Sequence, residues 1–300
     1  MSRLDQISAA VLEEARMSMP RLERQPFERR AMKSGILTGL TWMVAILGSI
    51  PLFSVIYMLA IKGGARLDLE ALTALPPAGF ETGGGFGNAI VGTLVMVGIG
   101  GITSIPIGIL AAVYLAVLGP YSKLAGISRF VAKTLTGFPS ILAGVFTYAI
   151  LVINFGYSAL AGGVSLAVLM LPTIVLAAEE AMKQVPQRMT DAAFGIGCTR
   201  TQVIWKVVLP TGLPGILTGV MLAVAGAAGE SAPLLFTALF SNYYLSGLTE
   251  PTASLSILIY NFSAMPFENQ IQLAWAASLV LVLIVLVFNI LARLFGRPKV

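Results

Sequence analysis

The chain has no histidine, a single cysteine (Cys198) and only three aspartates (Asp5, Asp68 and Asp191) in 300 residues. Without histidine there is no Ser–His–Asp triad, no Ser–His dyad and no ordinary catalytic zinc site. One cysteine forms neither an intrachain disulfide nor a cysteine zinc cluster. None of the aspartates sits inside a long uncharged run, which excludes an aspartyl protease working within a membrane. Charge of either sign is scarce, at 11% of residues, where a soluble domain carries about 25%. No G-x-x-x-x-G-K-[ST] segment occurs, so the chain brings no phosphate loop for a nucleotide. What it has instead is apolar side chains, 57% of the total, and a mean hydropathy of +0.87. That combination describes an all-α polytopic membrane protein with the lipid bilayer as its surroundings. The formal charge of +5 reports topology here rather than a nucleic-acid partner.

Runs free of Asp, Glu, Lys and Arg locate the spans, because such residues are costly in lipid. Lys33–Lys62, Glu81–Lys123, Lys133–Glu179, Lys206–Glu230 and Glu268–Arg293 enclose the long ones. At about 20 residues per crossing, the third run holds two helices. Six transmembrane helices are expected at 35–61, 88–118, 134–153, 163–178, 207–229 and 269–292. Asn154, Gly156, Gly162 and Gly163 are read as the turn between the third and fourth. The uncharged stretch between Glu230 and Glu250 holds Ser241, Asn242, Tyr243, Tyr244, Ser246 and Gly247, and reads as loop or re-entrant structure. In the second helix Pro106 predicts a kink. Gly92, Gly98, Gly100, Gly101 and Gly108 permit close helix approach there.

Lys and Arg set the orientation. Seven precede the first span, two (Lys62 and Arg66) follow it, three lie between the second and third, four between the fourth and fifth, and three close the chain. With both termini inside, seventeen face the cytoplasm and two face outward. The expected organisation is a cytoplasmic segment 1–34, a first helix 35–61 acting as an uncleaved start-transfer segment, an external loop 62–87, a core 88–292 and a cytoplasmic tail 293–300. Leu4, Ile7 and Val11 share one helical face, which suits either a short interfacial helix or a basic tail.

The cytoplasmic loop 179–206 carries the most specific signal. Thr190 is a fair helix N-cap with Asp191 in the first turn. Ala192, Ala193 and Ile196 make a small apolar face, Gly197 stops the helix, and Thr199 caps the next. Small residues let such a helix sit deep in a groove of another protein. This pattern resembles the EAA loop of ABC importer permeases. Asp191, Ala192, Ala193, Gly197, Val207, Leu209 and Pro210 occupy the motif positions, with Asp in place of the usual Glu.

Further stretches narrow the resemblance. Gly229-Glu230-Ser231-Ala232-Pro233-Leu234-Leu235-Phe236-Thr237-Ala238, Gly87–Leu94 and Gly137-Phe138-Pro139-Ser140-Ile141 are similar to the PstA-type permeases of the phosphate ABC importer, over about 88–292. The resemblance implies a type I ABC importer permease fold in the cytoplasmic (inner) membrane. It implies a non-catalytic subunit that binds no cofactor, with ATP and Mg on two partner ATPase subunits. A second homologous permease and an external phosphate-binding protein complete the expected assembly. Asp191, Ala192, Ala193, Gly197, Thr199, Leu209 and Pro210 would meet the ATPase. Permeases of this type usually carry an arginine near the end of the fourth helix and another late in the fifth; Leu176 and Gly226 stand there, while the neighbouring acid is present as Glu179. Candidates along the substrate path are Asn88, Pro139, Ser140, Glu179, Glu230, Ser231 and Thr237. Another oxyanion (sulfate, molybdate or tungstate) and a passive channel or scaffold are the alternative readings.

Overall fold

A computed structural model describes residues 29–295. Leu4, Ile7 and Val11, read as part of either an interfacial helix or a basic tail, and most of the tail 293–300 lie outside the described residues. The chain divides into two units after Tyr57. In the first, α1 (Arg29–Met58) is the described element. The run Met32–Gly63 is long and apolar enough to cross a membrane.

The second unit opens with a π turn, Leu59–Gly63. Next come α2 (Leu69–Thr73), whose N-cap Asp68 accepts from Ala71 N, and α3 (Gly87–Val113), which ends in a π turn, Tyr114–Leu118. α4 (Lys123–Thr136) and α5 (Ser140–Thr147) follow; α5 is prolonged by the π turn Tyr148–Val152 and the stub Ile153–Phe155. Then come α6 (Ala159–Lys183), α7 (Gln187–Gly195), α8 (Arg200–Val203) with its π turn Ile204–Val208, and α9 (Leu209–Gly229). α10 (Ala232–Thr237), α11 (Leu255–Ser263) and α12 (Glu268–Phe295) complete the order. Among the described residues there is no strand.

Glycine sets the packing of the centre. Gly100 of α3 lies against Gly163 and Leu166 of α6, and Gly108 lies against Ile174. The two helices therefore meet in the same order and run parallel. α9 returns antiparallel, with Gly215 on Ala181 and Gly219 on Ala177. Met96, Leu166, Met170, Ile174 and Ile216 fill the resulting core. Lipid tails are as apolar as these side chains, so it is dispersion and close fit, rather than escape from water, that holds such helices together. A second cluster joins Ala71, Phe86, Leu255, Leu258 and Leu273.

The structure differs from expectation in three places. Gly162 and Gly163 are not turn residues: they lie inside α6, where a Cβ would meet Met96 Sδ at 2.6 Å and Ile99 Cβ at 2.5 Å. Gly156, with φ +82°, makes the turn. α6 accordingly runs from 159 to 183 rather than 163 to 178. The third expected span, 134–153, is broken instead: α4 and α5 meet at 107° around Gly137-Phe138-Pro139. Among the described residues, five helices are long and apolar enough to cross a membrane, or up to six with that bent pair as one. The stretch between Glu230 and Glu250 holds the six-residue α10 and loop, and α11 follows it from Leu255. Pro106 lies within α3, which continues past it to Val113.

Candidate functional site

The loop between α6 and α9 is built from three local devices. Pro186, at φ −59° and ψ 128°, precedes α7 and supplies no N–H where none is needed. α7 closes in a Schellman motif: Gly197 N donates to Phe194 O and Cys198 N donates to Ala193 O, at 2.9 and 3.1 Å. Gly197 takes the left-handed position, φ +88°, as the spacing predicts. Thr199 and Gln202 then form a reciprocal capping box that starts α8. Pro210 falls at the opening of α9 just after the π turn, where an interrupted hydrogen-bond ladder accommodates its ring.

The expected N-cap is corrected. α7 starts four residues before Asp191, so Thr190 is interior and its Oγ1 donates to Gln187 O at 2.7 Å. The EAA-spaced residues split between two faces. Ala193 is buried against the cluster that holds Val203, Ile204 and Val208. Asp191, Ala192 and Ile196 are exposed, and Met189, Phe194 and Trp205 are exposed apolar neighbours. Gly197 is not hemmed in by its own chain, since a Cβ there would find nothing within 4 Å. Leu209 and Pro210 line an apolar groove of about 730 Å³ with Thr201, Trp205 and Pro106.

This loop is pinned to α3. Arg200 Nη2 donates to Val117 O and Leu118 O at 2.7 and 3.0 Å. Arg129 of α4 donates to Leu115 O and Pro120 O at 2.7 and 2.8 Å. Terminal carbonyls of a helix lack partners within it and carry the negative end of its dipole, so two guanidinium groups suit them. Arg129 Nε also donates to Glu179 Oε1 at 2.6 Å, and Lys183 Nζ lies 2.6 Å from the same oxygen. Glu179 is buried. A carboxylate taken out of water persists as an ion only with such partners. Sequence reasoning used Arg129 and Arg200 only as topology markers. Glu179 lies 50 residues from Arg129, and the carbonyls that Arg200 holds lie 82 and 83 residues from it; one sequence carries no signal for that.

The other expected residues gather elsewhere. Thr237 is fully buried on α10, donating to Pro233 O at 2.9 Å and facing Ser165 Oγ at 3.2 Å. Glu230 caps the end of α9, and its carbonyl accepts from Ser256 Oγ at 2.9 Å. Ser231 starts α10. Asn88 Nδ2 donates to Ser241 O at 2.8 Å, while its buried Oδ1 has no partner. Pro139 and Ser140 begin α5 at the break, one turn before Gly144, which packs on Pro233. No hydrogen bond among the described residues joins Ser140 to Asn88, Glu179 or Glu230. Leu176 is half-buried on α6 and Gly226 is exposed on α9.

Long apolar helices, a sharply bent helix pair and a surface loop with EAA spacing define a multi-pass permease of the ABC importer type. Residues 104–298 match the family described as binding-protein-dependent transport system inner membrane component, and the chain belongs to that family. Within it, a phosphate transport system permease protein PstA from Haemophilus influenzae is 40% identical over 91% of this chain and 97% of its own length. A probable phosphate transport system permease protein PstA from Methanocaldococcus jannaschii is 36% identical over 86% of this chain and 91% of its own. Among solved structures, a bacterial alginate ABC transporter chain matches with a TM-score of 0.64 at 16% identity, covering 91% of this chain and 98% of its own. A chain of the inward-facing MetNI methionine ABC transporter matches at 0.57 and 21%, covering 70% and 93%. These establish a type I ABC importer permease fold.

Proposed function

We propose that this chain is one of two permease subunits in an ATP-driven, binding-protein-dependent importer of inorganic phosphate across the cytoplasmic membrane. Six crossings with both termini inside account for the seventeen-to-two division of basic residues. Two partner ATPase subunits hold ATP and Mg and perform the hydrolysis; this chain is non-catalytic and binds no cofactor of its own. An external phosphate-binding protein delivers the anion.

The observation that carries the reading is the α7 loop. It presents Ala192, Ile196 and Phe194 outward and is tied through Arg200 to the end of α3. Force from ATPase closure enters at α7 and reaches α3, the helix packed along α6, so the core switches between two states of access. Glu179 locks Arg129 in this linkage. Asn88, Ser231 and Thr237, with Glu230, belong to the path on the far side of the core, and Pro139 and Ser140 to its exit side. Since Leu176 and Gly226 replace the usual arginines, the second permease supplies the cation that phosphate needs.

The test is uptake into vesicles. The complete assembly accumulates labelled phosphate with ATP, and a hundredfold excess of sulfate, molybdate or tungstate does not compete. The lone chain shows no ATPase activity and no uphill uptake. Competition by another oxyanion would reassign the substrate, and ATP-driven uptake by the lone chain would end the reading.

A further inference from the structure

A cavity of about 440 Å³ at the other end of the second unit has no place in the transport reading. It lies between the π turn Leu59–Gly63 and the start of α12, and Lys62, Arg66, Glu268, Gln272 and Trp275 line it together with Ile61. Gly63 sets the approach: a Cβ there would fall 2.6 Å from Trp275 O and 2.9 Å from Leu279 Cβ, so only glycine lets the two segments meet this closely. Lys62 closes one span and Glu268 opens another, so the cavity sits at the level of the lipid headgroups.

The charges are unusual in their arrangement. Lys62 Nζ lies 5.1 Å from the centre of the Trp275 ring and has no carboxylate within ion-pair distance among the described residues. Glu268 lines the same space and is likewise without a cation. Its Oε1 accepts from Gln272 Nε2 at 3.2 Å, which orients the carboxylate. Arg66 is already engaged, with Asp68 at 2.6 Å and Gly84 O at 3.3 Å. Among the described residues, Lys62 and Glu268 therefore face a shared cavity with no ion-pair partner and without closing on each other. Tryptophan at this depth is the side chain of a membrane interface, and a lysine stem reaches from apolar surface toward headgroups.

We propose that this cavity binds the phosphoethanolamine headgroup of a phospholipid. Lys62 takes the phosphodiester and Glu268 takes the ammonium, while Ile61 and the Trp275 ring flank the glycerol end. A free phosphate would meet the same Lys62, but the Glu268 carboxylate repels a bare anion and has nothing to bind. The site is thus one for a zwitterion carrying a hydrogen-bonding ammonium.

Trp275 supplies the readout. The full chain, with Trp42 and Trp205 replaced by Phe, is reconstituted in bilayers in which brominated phosphatidylethanolamine, phosphatidylcholine or phosphatidylglycerol replaces the plain lipid stepwise. Brominated phosphatidylethanolamine should half-quench Trp275 at about threefold lower mole fraction than either other lipid, the scale of a single surface ion pair. Lys62→Ala should erase the preference, Lys62→Arg should keep it, and Glu268→Gln should shift it toward phosphatidylglycerol. Far-ultraviolet circular dichroism confirms that each variant keeps its helices. Equal quenching by the three lipids, or a preference that survives Lys62→Ala, would overturn the proposal. Relief of quenching by millimolar inorganic phosphate would assign the cavity to the free anion and overturn it equally. None of these results depends on which solute the assembly transports.

Discussion

The two ends of α3 are held by different chemistry. At its start, neutral groups do the work. Asn88 donates to Ser241 O, Thr93 Oγ1 accepts from Leu255 N at 2.8 Å, and Gly92 lies so close to Ala253 O and Thr252 that no side chain fits. At its end, Arg129 and Arg200 hold four carbonyls between Leu115 and Pro120, and Glu179 holds Arg129. Close packing is rigid and has one arrangement. Hydrogen bonds from long arginine side chains can be kept while the elements that they join shift. On the proposed function, the difference separates a fixed support from a moving linkage.

Breaking the packed end should have the largest effect. Gly92→Leu drives a side chain into Ala253 O and Thr252 Cγ2, the latter at 2.5 Å from the new Cβ. Overpacking costs about 1–3 kcal/mol even where neighbours can yield, and backbone cannot. The subunit should fail to accumulate in the membrane, as an immunoblot against wild type would show.

Arg129→Met comes next. It leaves buried Glu179 with Lys183 alone. Removing one partner of a buried pair costs about 3–5 kcal/mol, and the remaining lysine keeps the loss below that range. The melting temperature in detergent should fall, and Glu179→Gln added to the same chain should restore part of it. An unchanged melting temperature would mean that the pair adds nothing to the linkage. Arg200→Met loses two hydrogen bonds at the exposed surface, about 1–2 kcal/mol. Membrane level and ATPase pull-down should stay near normal while phosphate uptake per ATP hydrolysed drops about tenfold. A normal coupling ratio would reduce Arg200 to a surface contact. Thr201→Ser, on an exposed residue beside Arg200, should fall within about 0.5 kcal/mol of wild type and transport normally.

The same contrast explains what could be read from the residues alone. Spans announce themselves by missing charge, so five of the six expected ones are found as single long helices. Local caps are equally legible, since Gly197, Thr199 and Gln202 act within a few residues of each other. Gly162 and Gly163 mislead because a glycine pair serves a turn and a tight helix contact alike, and only the neighbour, here α3, decides. The break at Gly137-Phe138-Pro139 falls inside the expected third span, and the arm before it carries Lys123, Arg129 and Lys133, so a search for missing charge passes over that arm. α11 is too short and too apolar to stand out from its surroundings. The Arg129–Glu179 and Arg200–α3 contacts depend wholly on the fold.

The claim that force enters through α7 meets its most direct test in Gly197→Asp. The site has φ +88° and open space around it, so aspartate strains the cap by about 1–2 kcal/mol and adds a carboxylate beside the negative end of the helix dipole. It clashes with nothing in its own chain. The measurement is ATP-driven phosphate uptake together with ATPase pull-down, at matched membrane levels. Normal insertion with uptake reduced at least about tenfold, and with weakened docking or lost ATPase stimulation, is the predicted result. Normal uptake with normal stimulation would show that the loop is only a connector.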